Sequence, residues 1–565
     1  MSLFYNVFYM STQEYDIVVV GSGAGGMTAA LTAAHNGQRV VVIEKASHFG
    51  GSTARSGGGV WIPNNEALVA DGVDDTPEAA RDYLHAIIGD VVSKERIDTY
   101  LERGPEMLSF VLRNSPLKMQ WVPGYSDYYP EAPGGRVGGR SVEPTPFDAK
   151  CLGEEVNNLE PDYGKAPLNV VLTQADYRTI NLIRRHPSGI ARVLRVGIRW
   201  MAAKLTGKHL LGRGQALAAA LRAGLADAHV PVLLDTPMVD FHIENGRVTG
   251  VTVADGRVIS GRLGVVLASG GFEHNEEMRK QYQREPIGTA WTVGAEANTG
   301  DGIRAGQKLG AAVDLMDDAW WGPSIPLTGG PWFCIAERTL PGGIMVNGSG
   351  ARFLNEAAPY VEAVHAMYGG EFGVGDGDGP GENIPTWMII DQRYRDRYIF
   401  AGLQPKKAFP SRWTTAGIVV KAETISELAE KTGLPVAELT ATVQRFNGFA
   451  RSGVDEDFRR GESGYDKYYG DPTNKPNPSL GVLDKPPFYA VKMVPGDLGT
   501  KGGLVTDSDA RVLREDGSVI DGLYAVGNAS APVMGHTYAG PGATIGPAMT
   551  FGYLAVLDMI TRGPQ

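Results

Sequence analysis

The stretch DIVVVGSGAGGMTAALTAAHNGQRVVVIEK, Asp16 to Lys45, decides the fold. An apolar run rich in β-branched residues leads into a glycine-rich turn, an alanine-rich helical segment follows, and a second apolar run ends at Glu44. This order is typical of a βαβ unit, in which a helix connects two parallel strands. Gly21, Gly23 and Gly26 form a GxGxxG pattern at the first strand-to-helix turn, which predicts a dinucleotide site.

Each part of this pattern has a physical role in holding a dinucleotide. Gly21 permits the tight turn, Gly23 lets the backbone approach the pyrophosphate, and Gly26 lets the helix pack closely on the strand. The pyrophosphate is expected at the positive end of the helix, where free N–H groups point outward. The other predicted cofactor-binding residues of this stretch are Ala24 and Gly25 in the first helical turn, Glu44 and Lys45. Glu44 is expected to accept hydrogen bonds from the ribose hydroxyls.

Two further glycine-rich segments favour FAD over NAD. HFGGSTARSGGG, His48 to Gly59, follows the second strand and brings more backbone close to the ligand. IDGLYAVGN, Ile520 to Asn528, is a distant apolar strand that ends in another glycine turn, and it can bring a polar side chain to a ribityl chain, which NAD lacks. The predicted FAD contacts in these segments are Gly51, Ser52, Thr53, Ser56, Gly57, Gly58, Gly527 and Asn528.

Composition narrows the class of protein. The chain has 565 residues, 43% hydrophobic and 21% charged, with a net charge of −11, which argues against nucleic acid as the main partner. Its two cysteines form no CxxC metal site or disulfide framework, so we expect no metal and a reducing cytoplasm. No apolar run reaches the roughly 18 residues needed to span a bilayer. The N-terminus shows no signal-peptide pattern.

The order of elements predicts an α/β fold with a discontinuous, Rossmann-type FAD-binding domain and an inserted α+β catalytic domain. Two β-hairpins are expected within the first domain, turning at Asn245–Gly246 and Asp255–Gly256. We place the FAD-binding domain at residues 1–283 and 497–565 and the catalytic domain at 284–496. Residues 1–14 are a candidate disordered extension.

Residues 184–209 carry seven Arg or Lys and no acidic residue within an otherwise acidic chain. Arg192, Arg195 and Arg199 share one helical face, and Ile190 and Val193 add apolar surface. One interpretation is a solvated helix that packs on its own domain. The other is a surface helix that contacts anionic lipid, which would give the protein a peripheral membrane contact.

Several motifs together resemble the flavoproteins of the fumarate reductase/succinate dehydrogenase superfamily: GSGAGG with Glu44, GVVLASGGFEHN, ANTGDG and ARFLNE. Within it, WIPNN, PGYSDYYPE, AWWGP, NEAAPY, GDLGTKGG and GHTYAGPGATIGPAMTFGY look like 3-ketosteroid Δ1-dehydrogenase. The matches run through nearly the whole chain. The resemblance implies an FAD enzyme that introduces a C1–C2 double bond into ring A of a 3-ketosteroid.

The resemblance also implies the catalytic residues. Tyr360 would be the base that removes the C2 proton, with Tyr128 hydrogen-bonded to it, and N5 of FAD would accept the C1 hydride. The Tyr538 phenol and the Gly542 N–H can converge on the C3 oxygen and stabilise enolate charge, each worth roughly 3 kcal/mol. Because a free tyrosine has a pKa of about 10, activity should rise toward alkaline pH.

The sequence departs from the expected pattern at two positions. Ala539 replaces an expected proline, which removes a φ restraint from the Tyr538 loop, and Asn528 replaces an acidic residue. There is no histidine in GGSTARSGG, where relatives with covalent flavin carry one, so FAD is expected to be noncovalent. Electrons are expected to leave to an external acceptor such as a quinone.

Some alternatives stay open at this point. A dicarboxylate reductase, a ketosteroid dehydrogenase acting at C4–C5 and a noncatalytic flavin or sterol binder are the competing functions. Tyr129 competes with Tyr128 for the supporting role. Trp320 and Trp321 suit either a core or a steroid wall, whereas Arg352 and Glu356 are expected to hold a loop.

Overall fold

The computed structural model describes residues 13–164, 170–183, 185–370 and 381–563. The strands in these ranges are β1 (Gln13–Val20), β2 (Val40–Ile43), β3 (Val60–Trp61), β4 (Met119–Trp121), β5 (Ser141–Pro144), β6 (Phe147–Asp148), β7 (Leu210–Leu211), β8 (Val232–Leu233), β9 (Met238–Glu244), β10 (Arg247–Val253), β11 (Val258–Leu267), β12 (Val313–Asp314), β13 (Ala319–Ile325), β14 (Trp332–Phe333), β15 (Gly343–Val346), β16 (Thr386–Asp391), β17 (Val419–Ala422), β18 (Phe488–Thr500), β19 (Gly503–Leu504), β20 (Arg511–Leu513) and β21 (Val519–Ala525).

The α-helices within the same ranges are α1 (Ala24–His35), α2 (Gly51–Arg55), α3 (Glu66–Ala70), α4 (Pro77–Ile88), α5 (Lys94–Asn114), α6 (Gln174–Ile180), α7 (Pro187–Leu205), α8 (Arg213–Asp227), α9 (Glu276–Tyr282), α10 (Asp301–Lys308), α11 (Ala336–Thr339), α12 (Tyr360–Tyr368), α13 (Gln392–Arg397), α14 (Ser411–Thr415), α15 (Ile425–Thr432), α16 (Val436–Ser452), α17 (Gly464–Tyr468) and α18 (Ile545–Arg562).

A parallel sheet forms around the Asp16–Lys45 stretch. Its central order is β21-β11-β1-β2-β8, all parallel, with β20 antiparallel at one edge. Val18 of β1 pairs with Val41 on one side and Val265 on the other. All three valines are fully buried, as expected for a parallel sheet covered on both faces. The predicted Rossmann-type α/β fold is confirmed.

The two predicted hairpins extend this sheet. β9 and β10 are antiparallel around Asn245 and Gly246, and β10 and β11 are antiparallel around Gly256. Asn245 has φ 52° and Gly246 has φ 81°, the left-handed pair that a two-residue hairpin turn requires. Both hairpin predictions are confirmed.

A second, antiparallel sheet carries the order β14-β13-β18-β16-β15, and β17 also pairs with β18. Ile344 and Ile389 of this sheet pack with Leu428 and Phe446 of α15 and α16, which gives it a core of its own. All residues of β13 are buried, including Trp320 and Trp321. This sheet corresponds to the α+β domain expected as an insertion.

The two sheets are joined more closely than the expected division at residues 284 and 497 implies. β18 extends from Phe488 to Thr500, across the second boundary. Ile303 of α10, inside the expected insertion, packs in one apolar core with Val18 of β1. Gln13 and Glu14, placed in the candidate extension, begin β1, whereas residues 1–12 lie outside the described part of the chain.

Helices α6 and α7 pack against each other. Asp176 of α6 accepts hydrogen bonds from Arg192 (3.2 Å) and Arg199 (2.6 Å) of α7, which hold the helices together. These arginines therefore pair within the protein, and the lipid contact considered from sequence stays a prediction. In the described ranges, no helix has both the length and the apolar character needed to cross a bilayer.

Candidate active site

A large cavity opens at the carboxyl ends of the parallel strands. Its volume is about 1710 Å³, and its walls include the residues that directly follow β1, β2, β11 and β21. Ligands of open α/β sheets bind at this edge because the strand-to-helix loops converge there. Tyr128, Tyr360, Tyr538 and Gly542 line the same cavity, so the predicted cofactor and catalytic sites are continuous.

The glycine turn has no room for side chains at Gly21 and Gly26. Gly21 has φ +108°, and a Cβ there would lie 2.2 Å from the Ala268 carbonyl oxygen. A Cβ on Gly26 would lie 2.1 Å from the Gly21 oxygen, which confirms its predicted role in packing α1 on β1. Gly23 faces the cavity and has only the Thr53 hydroxyl nearby, at 3.6 Å. The turn therefore fits a pyrophosphate at the N-terminus of α1.

Glu44 is buried at the end of β2. Its Oε2 accepts hydrogen bonds from the Ser22 N–H (2.9 Å) and hydroxyl (2.6 Å), and its Oε1 accepts one from the Ala46 N–H (2.9 Å). A carboxylate offers about four acceptor positions, so capacity remains for a ribose hydroxyl. Its position on the cavity wall agrees with the predicted role.

The Lys45 side chain is held by residues that are distant in sequence. Its ammonium group donates to Asp301 (2.7 Å), to the Thr299 hydroxyl (2.6 Å) and to the Ala297 carbonyl (3.3 Å). These contacts use all three donors of a lysine. Lys45 therefore ties the loop before α10 to β2, and a direct contact with FAD remains a prediction.

The second glycine segment forms α2 and the turn after it. The Thr53 hydroxyl accepts the Ala24 N–H (3.0 Å), and the Ser52 hydroxyl accepts from the Ala295 N–H (3.0 Å). The Ser56 hydroxyl accepts the Gly58 N–H (3.0 Å) and closes the turn. The predicted members of this segment that line the cavity are Gly51, Ser52, Thr53, Ser56, Gly57 and Gly58.

The returning strand β21 brings Gly527 and Asn528 to the cavity, as predicted. The Asn528 Oδ1 accepts a hydrogen bond from the Trp320 indole N–H (3.0 Å). Its amide nitrogen remains as a donor that suits a ribityl hydroxyl. Trp320 thus lies on the cavity wall and holds Asn528. The sequence left open whether this tryptophan belongs to the core or to a wall of the site.

Three tyrosines from distant parts of the chain meet in one buried cluster. The Tyr128 hydroxyl donates to the Tyr360 hydroxyl at 2.9 Å. The Tyr538 ring lies 5.1 Å from the Tyr128 ring and 5.6 Å from the Tyr360 ring, measured between centroids. Each side chain is at most 5% exposed. The structure therefore brings together the three predicted phenols.

Gly542 completes this cluster with a backbone donor. Its φ is +95°, and a Cβ there would lie 2.3 Å from the Gly59 backbone, so only glycine fits. Burial raises the pKa of the Tyr538 phenol, and the Gly542 backbone is near enough to oppose part of that rise. The two predicted donors therefore lie side by side, where one substrate oxygen can accept from both.

Burial controls the protonation of these phenols. It raises the pKa of Tyr360 well above the ordinary value, and the hydrogen bond from Tyr128 opposes part of that rise. Burial also raises the pKa of Tyr538, against the hydrogen bonds from Tyr360, Thr544 and Gly542. All three are therefore neutral at neutral pH, and Tyr360 acts as a base only in its phenolate form, which alkaline pH favours.

The loop that carries Tyr128 is fixed from both sides. Asp127 is fully buried and accepts hydrogen bonds from the Trp61 indole (2.9 Å) and the Arg136 N–H (3.1 Å). It also forms an ion pair with Arg140. Tyr129, the competing residue, donates to Glu362 at 2.5 Å. Because the hydrogen bond to the Tyr360 hydroxyl comes from Tyr128, the geometry favours Tyr128 for the supporting role.

The loop before Tyr360 is held by buried arginines. Arg338 donates to the carbonyls of Glu356 (2.7 Å) and Ala358 (2.6 Å), and the Glu356 carboxylate pairs with Arg352 (2.8 Å) and Arg460 (2.9 Å). These contacts fix the point where α12 begins, and Tyr360 is its first residue. Arg352 and Glu356 hold the loop, as expected from the sequence.

Charge on the cavity wall is partly paired, and Lys204 and Lys208 also line it. Four cations of the cavity wall are paired with acids, in the pairs Lys45 with Asp301, Arg55 with Glu160, Arg199 with Asp176 and Arg213 with Asp162. The phenol cluster instead offers neutral donors, which suit an uncharged ketone. No group of acids, histidines and cysteines in the described ranges could hold a metal ion.

Sequence reasoning missed several residues that build the site. The Ala539 carbonyl accepts from the Tyr128 N–H (3.0 Å) and the Tyr83 phenol (2.6 Å), which ties the two phenol-bearing loops together. The Phe333 ring lies 5.2 Å from the Tyr360 ring and adds apolar wall. No local pattern signals these contacts, because each joins residues from separate segments, and the Ala539 contacts span more than 400 positions.

Known proteins match this chain over almost its full length. It matches the FAD binding domain family over residues 16–545. It is 66% identical over 561 residues to a 3-oxosteroid 1-dehydrogenase from Mycolicibacterium smegmatis, which covers 98% of each chain. It is 67% identical over 558 residues to another from Mycobacterium tuberculosis, covering 97% of this chain and 99% of that protein.

A solved structure is also similar throughout. The 3-ketosteroid Δ1-dehydrogenase from Sterolibacterium denitrificans, in complex with 1,4-androstadiene-3,17-dione, superposes with a TM-score of 0.90. The two proteins share 39% sequence identity, and the match covers 98% of this chain and 100% of the other.

Proposed function

Since this chain belongs to the FAD-dependent 3-oxosteroid 1-dehydrogenases, we propose that Tyr360 takes the C2 proton of its 3-ketosteroid substrate while Tyr538 and Gly542 hold the C3 oxygen. The observation that carries this assignment is the Tyr128–Tyr360 hydrogen bond of 2.9 Å beside the Tyr538 phenol and the Gly542 N–H. The enzyme uses FAD as its cofactor and forms a 1,2-double bond in ring A.

The reaction removes a proton from C2 and a hydride from C1, and the remaining electron pair becomes the new double bond. FAD, when bound, supplies the acceptor for the hydride. The residues that would hold it are the glycine turn before α1, Glu44, the α2 segment and Asn528, all on the cavity wall. The protein must place C2 against one phenol and the C3 oxygen against two donors.

Stabilisation of the C3 oxygen is the first task of the chain. Loss of the C2 proton puts enolate charge on that oxygen, and preorganised donors in a dry site stabilise such charge strongly. The Tyr538 phenol is 3% exposed, and Gly542 leaves no side chain between the backbone and ring A. The donors therefore need little reorganisation when the charge develops.

Proton transfer to Tyr360 is the second task. Once Tyr360 has lost its own proton to solvent, its phenolate oxygen accepts the proton from C2, and Tyr128 donates a hydrogen bond to that oxygen at 2.9 Å. This hydrogen bond favours the charged phenolate over the neutral phenol. Since burial raises the pKa of Tyr360, the rate should increase with pH toward the alkaline range.

Replacing Tyr128 with phenylalanine removes the donor but keeps the ring. A hydrogen bond to a charged group is worth roughly 1.5–3 kcal/mol, which corresponds to about one to two pH units. Since the Tyr360 pKa rises further, we expect the rising part of the kcat–pH profile to move to higher pH by that amount. Stopped-flow rates between pH 6 and 10 measure the shift.

Tyr129→Phe is the matched control, because its phenol donates to Glu362 instead of Tyr360. We expect kcat of this variant to rise at nearly the same pH as kcat of the wild type. A Tyr129→Phe profile that shifts while the Tyr128→Phe profile does not would reverse the assignment.

We propose in addition that α7 contacts a membrane surface. Ile190, Leu194, Ile198, Met201 and Leu205 form one stripe of the helix, and Leu194 and Ile198 are 62% and 70% exposed. An amphipathic helix with exposed apolar residues and basic neighbours suits the bilayer interface. Trp200, Ala203 and Lys204 of α7 also line the cavity, so a lipophilic steroid has a short path into it.

The double variant Leu194→Asp/Ile198→Asp should weaken binding to phosphatidylglycerol vesicles by at least about tenfold, because two apolar side chains would leave the interface. Sedimentation with vesicles measures this change. Val69→Asp is the control, since Val69 is 65% exposed on α3, a different helix. Equal vesicle binding by wild type and the double variant would contradict the membrane proposal.

The electrons must finally leave to an external acceptor, and we propose an apolar quinone. An acceptor of that kind would reach the cavity by the same apolar α7 surface as the steroid. Turnover with menadione in place of an artificial dye tests this step directly. No electron transfer to menadione by an enzyme that is active with the dye would contradict it.

Product analysis tests the reaction itself. With androst-4-ene-3,17-dione and an artificial acceptor, we expect the 1,4-diene. With 5α-androstane-3,17-dione, a 1-ene is expected, whereas a dehydrogenase acting at C4–C5 would give the 4-ene. The latter product would contradict the proposal.

A further inference from the structure

The proposed donor Gly542 lies in a tight turn shortly before α18. The turn covers residues 540–543 and is closed by a hydrogen bond from the Ala543 N–H to the Gly540 carbonyl at 3.0 Å. Proline at its second position and a glycine with φ +95° at its third are typical of a type II turn. The N–H expected to meet the C3 oxygen therefore belongs to the central peptide of this turn, between Pro541 and Gly542.

The central peptide of such a turn is free to flip unless another group holds it. A flip converts type II into type I, in which the third residue has φ of about −90°, a value that glycine adopts as readily as a positive one. The proline ring fixes φ of Pro541 but not its ψ. After a flip, the Pro541 carbonyl would face the place of the Gly542 N–H, and it would repel a negatively charged C3 oxygen.

Ser141 holds this peptide by its carbonyl. The Ser141 hydroxyl donates to the Pro541 carbonyl oxygen at 2.7 Å, and the serine is only 1% exposed. Ser141, Pro541 and Gly542 all lie on the cavity wall. Because the C=O and N–H of a trans peptide point in opposite directions, a bond that fixes the Pro541 carbonyl also fixes the direction of the Gly542 N–H.

Two paired strands keep Ser141 in place beside the turn. Ser141 begins β5 and lies opposite Trp61 of β3 in an antiparallel pair. The Val122 N–H donates to the Ser141 carbonyl at 3.1 Å, and the Trp61 N–H donates to the Gly542 carbonyl at 3.2 Å. The carbonyls of Pro541 and Gly542 are therefore both held by this pair of strands.

We propose that Ser141 is a positioning residue for the oxyanion site, which keeps the Gly542 N–H directed at the C3 oxygen and strengthens it as a donor. A hydrogen bond accepted by the carbonyl polarises the whole peptide group, and linked hydrogen bonds strengthen one another by roughly 10–30% each. This inference rests on the proposed function, because it takes the Gly542 N–H to be a donor to the substrate.

Ser141→Ala removes the hydroxyl and leaves the central peptide free to flip. Since the lost support matters most as charge develops on the C3 oxygen, kcat should fall roughly three- to thirtyfold while KM changes by less than about twofold. Ser141→Thr keeps the hydroxyl and should recover most of the rate. Steady-state kinetics of the FAD-loaded full-length enzyme with androst-4-ene-3,17-dione measures both parameters.

Ser479→Ala is the matched control. Ser479 is also fully buried, and its hydroxyl donates to a backbone carbonyl, that of Asp466 at 3.1 Å, outside the 540–543 turn. It should leave kcat and KM near those of the wild type. Ser141→Cys keeps nearly the same volume with a weak donor, so it should resemble Ser141→Ala and replaces it if the alanine variant loses FAD.

A bound phenol tests the donor strength without turnover. Oestrone has a phenolic ring A, and its phenolate carries negative charge on the oxygen at C3, as the enolate does. Donors to that oxygen favour the phenolate, so weaker donors raise the pKa of the bound phenol. In Ser141→Ala this pKa, followed by ultraviolet difference absorbance, should lie roughly 0.5 to 1 pH unit above the wild-type value, which a purely structural role of Ser141 would not produce.

The variant Tyr538→Phe separates the two ways in which this test fails. If it raises the pKa of bound oestrone while Ser141→Ala changes neither that pKa nor kcat, the role of Ser141 is overturned and the proposed function stands. A loss in Ser141→Ala that appears only in KM would also overturn that role. If Tyr538→Phe leaves the pKa of bound oestrone unchanged, the proposed function itself is contradicted.

Discussion

Tyr360→Phe is expected to lower kcat by roughly 10²- to 10⁴-fold, the range for loss of a positioned general base. The phenyl ring keeps the packing against Phe333 at 5.2 Å, but it has no oxygen to receive the C2 proton. The Tyr128 hydroxyl then loses its acceptor at 2.9 Å, so a small loss of stability accompanies the loss of rate. Rapid mixing of the FAD-loaded variant with androst-4-ene-3,17-dione under anaerobic conditions measures the rate of flavin reduction.

The control for this variant is Tyr394→Phe. Tyr394 is also a buried tyrosine, but its hydroxyl donates to the Glu337 carbonyl at 2.6 Å, away from the phenol cluster. We expect it to keep most of the activity and both variants to retain FAD. Flavin reduction in Tyr360→Phe within tenfold of the wild-type rate would rule out Tyr360 as the base.

Tyr538→Phe is expected to lower kcat by roughly 10²- to 10³-fold, because it removes one donor to the developing enolate oxygen. An interaction that strengthens as the charge develops affects kcat more than KM. The Gly542 N–H remains, which leaves some stabilisation of the oxygen. Steady-state kinetics with a saturating acceptor separates the two parameters.

Tyr524→Phe is the control for this variant, since the Tyr524 hydroxyl donates to Asp558 at 2.8 Å, away from the phenol cluster. It should leave both parameters near those of the wild type. A loss in Tyr538→Phe that appears wholly in KM, with kcat unchanged, would mean that the phenol binds substrate without stabilising the transition state.

The nucleotide-binding part of the fold could be predicted because its signals are local. The glycine turn, the apolar strands and the Asn245–Gly246 hairpin each depend on residues within a few positions of one another. The domain boundaries at residues 284 and 497 stay a prediction, since they depend on packing between distant segments. Ile303 shares a core with Val18, and β18 extends past residue 497 as one continuous strand.

Side-chain roles were harder to predict than backbone roles. Gly26 packs as expected because its spacing in the motif sets its position. Lys45 follows the strand in the same motif, yet its ammonium group is held by Asp301, which is distant in sequence. Arg199 likewise pairs with Asp176 instead of facing solvent. The partner of a charged side chain depends on which residues the fold brings near it, and a local motif does not contain that information.

The proposed catalytic residues were inferred from a resemblance, and the geometry adds what a motif cannot. Tyr128 and Tyr129 are adjacent in sequence, but only the Tyr128 hydroxyl meets Tyr360, because Tyr129 donates to Glu362. The geometry also explains why alanine can replace the expected proline at position 539. The loop is held through the Ala539 carbonyl, a group that alanine and proline share.

The most direct test of the account is one anaerobic turnover of the FAD-loaded enzyme with a single equivalent of androst-4-ene-3,17-dione, followed by the flavin spectrum and analysis of the steroid. We predict that the flavin bleaches and that an equal amount of the 1,4-diene forms in the wild type. Tyr360→Phe should keep its yellow flavin on the same timescale. A wild-type flavin that stays oxidised, or bleaching without the C1–C2 double bond, would contradict the account.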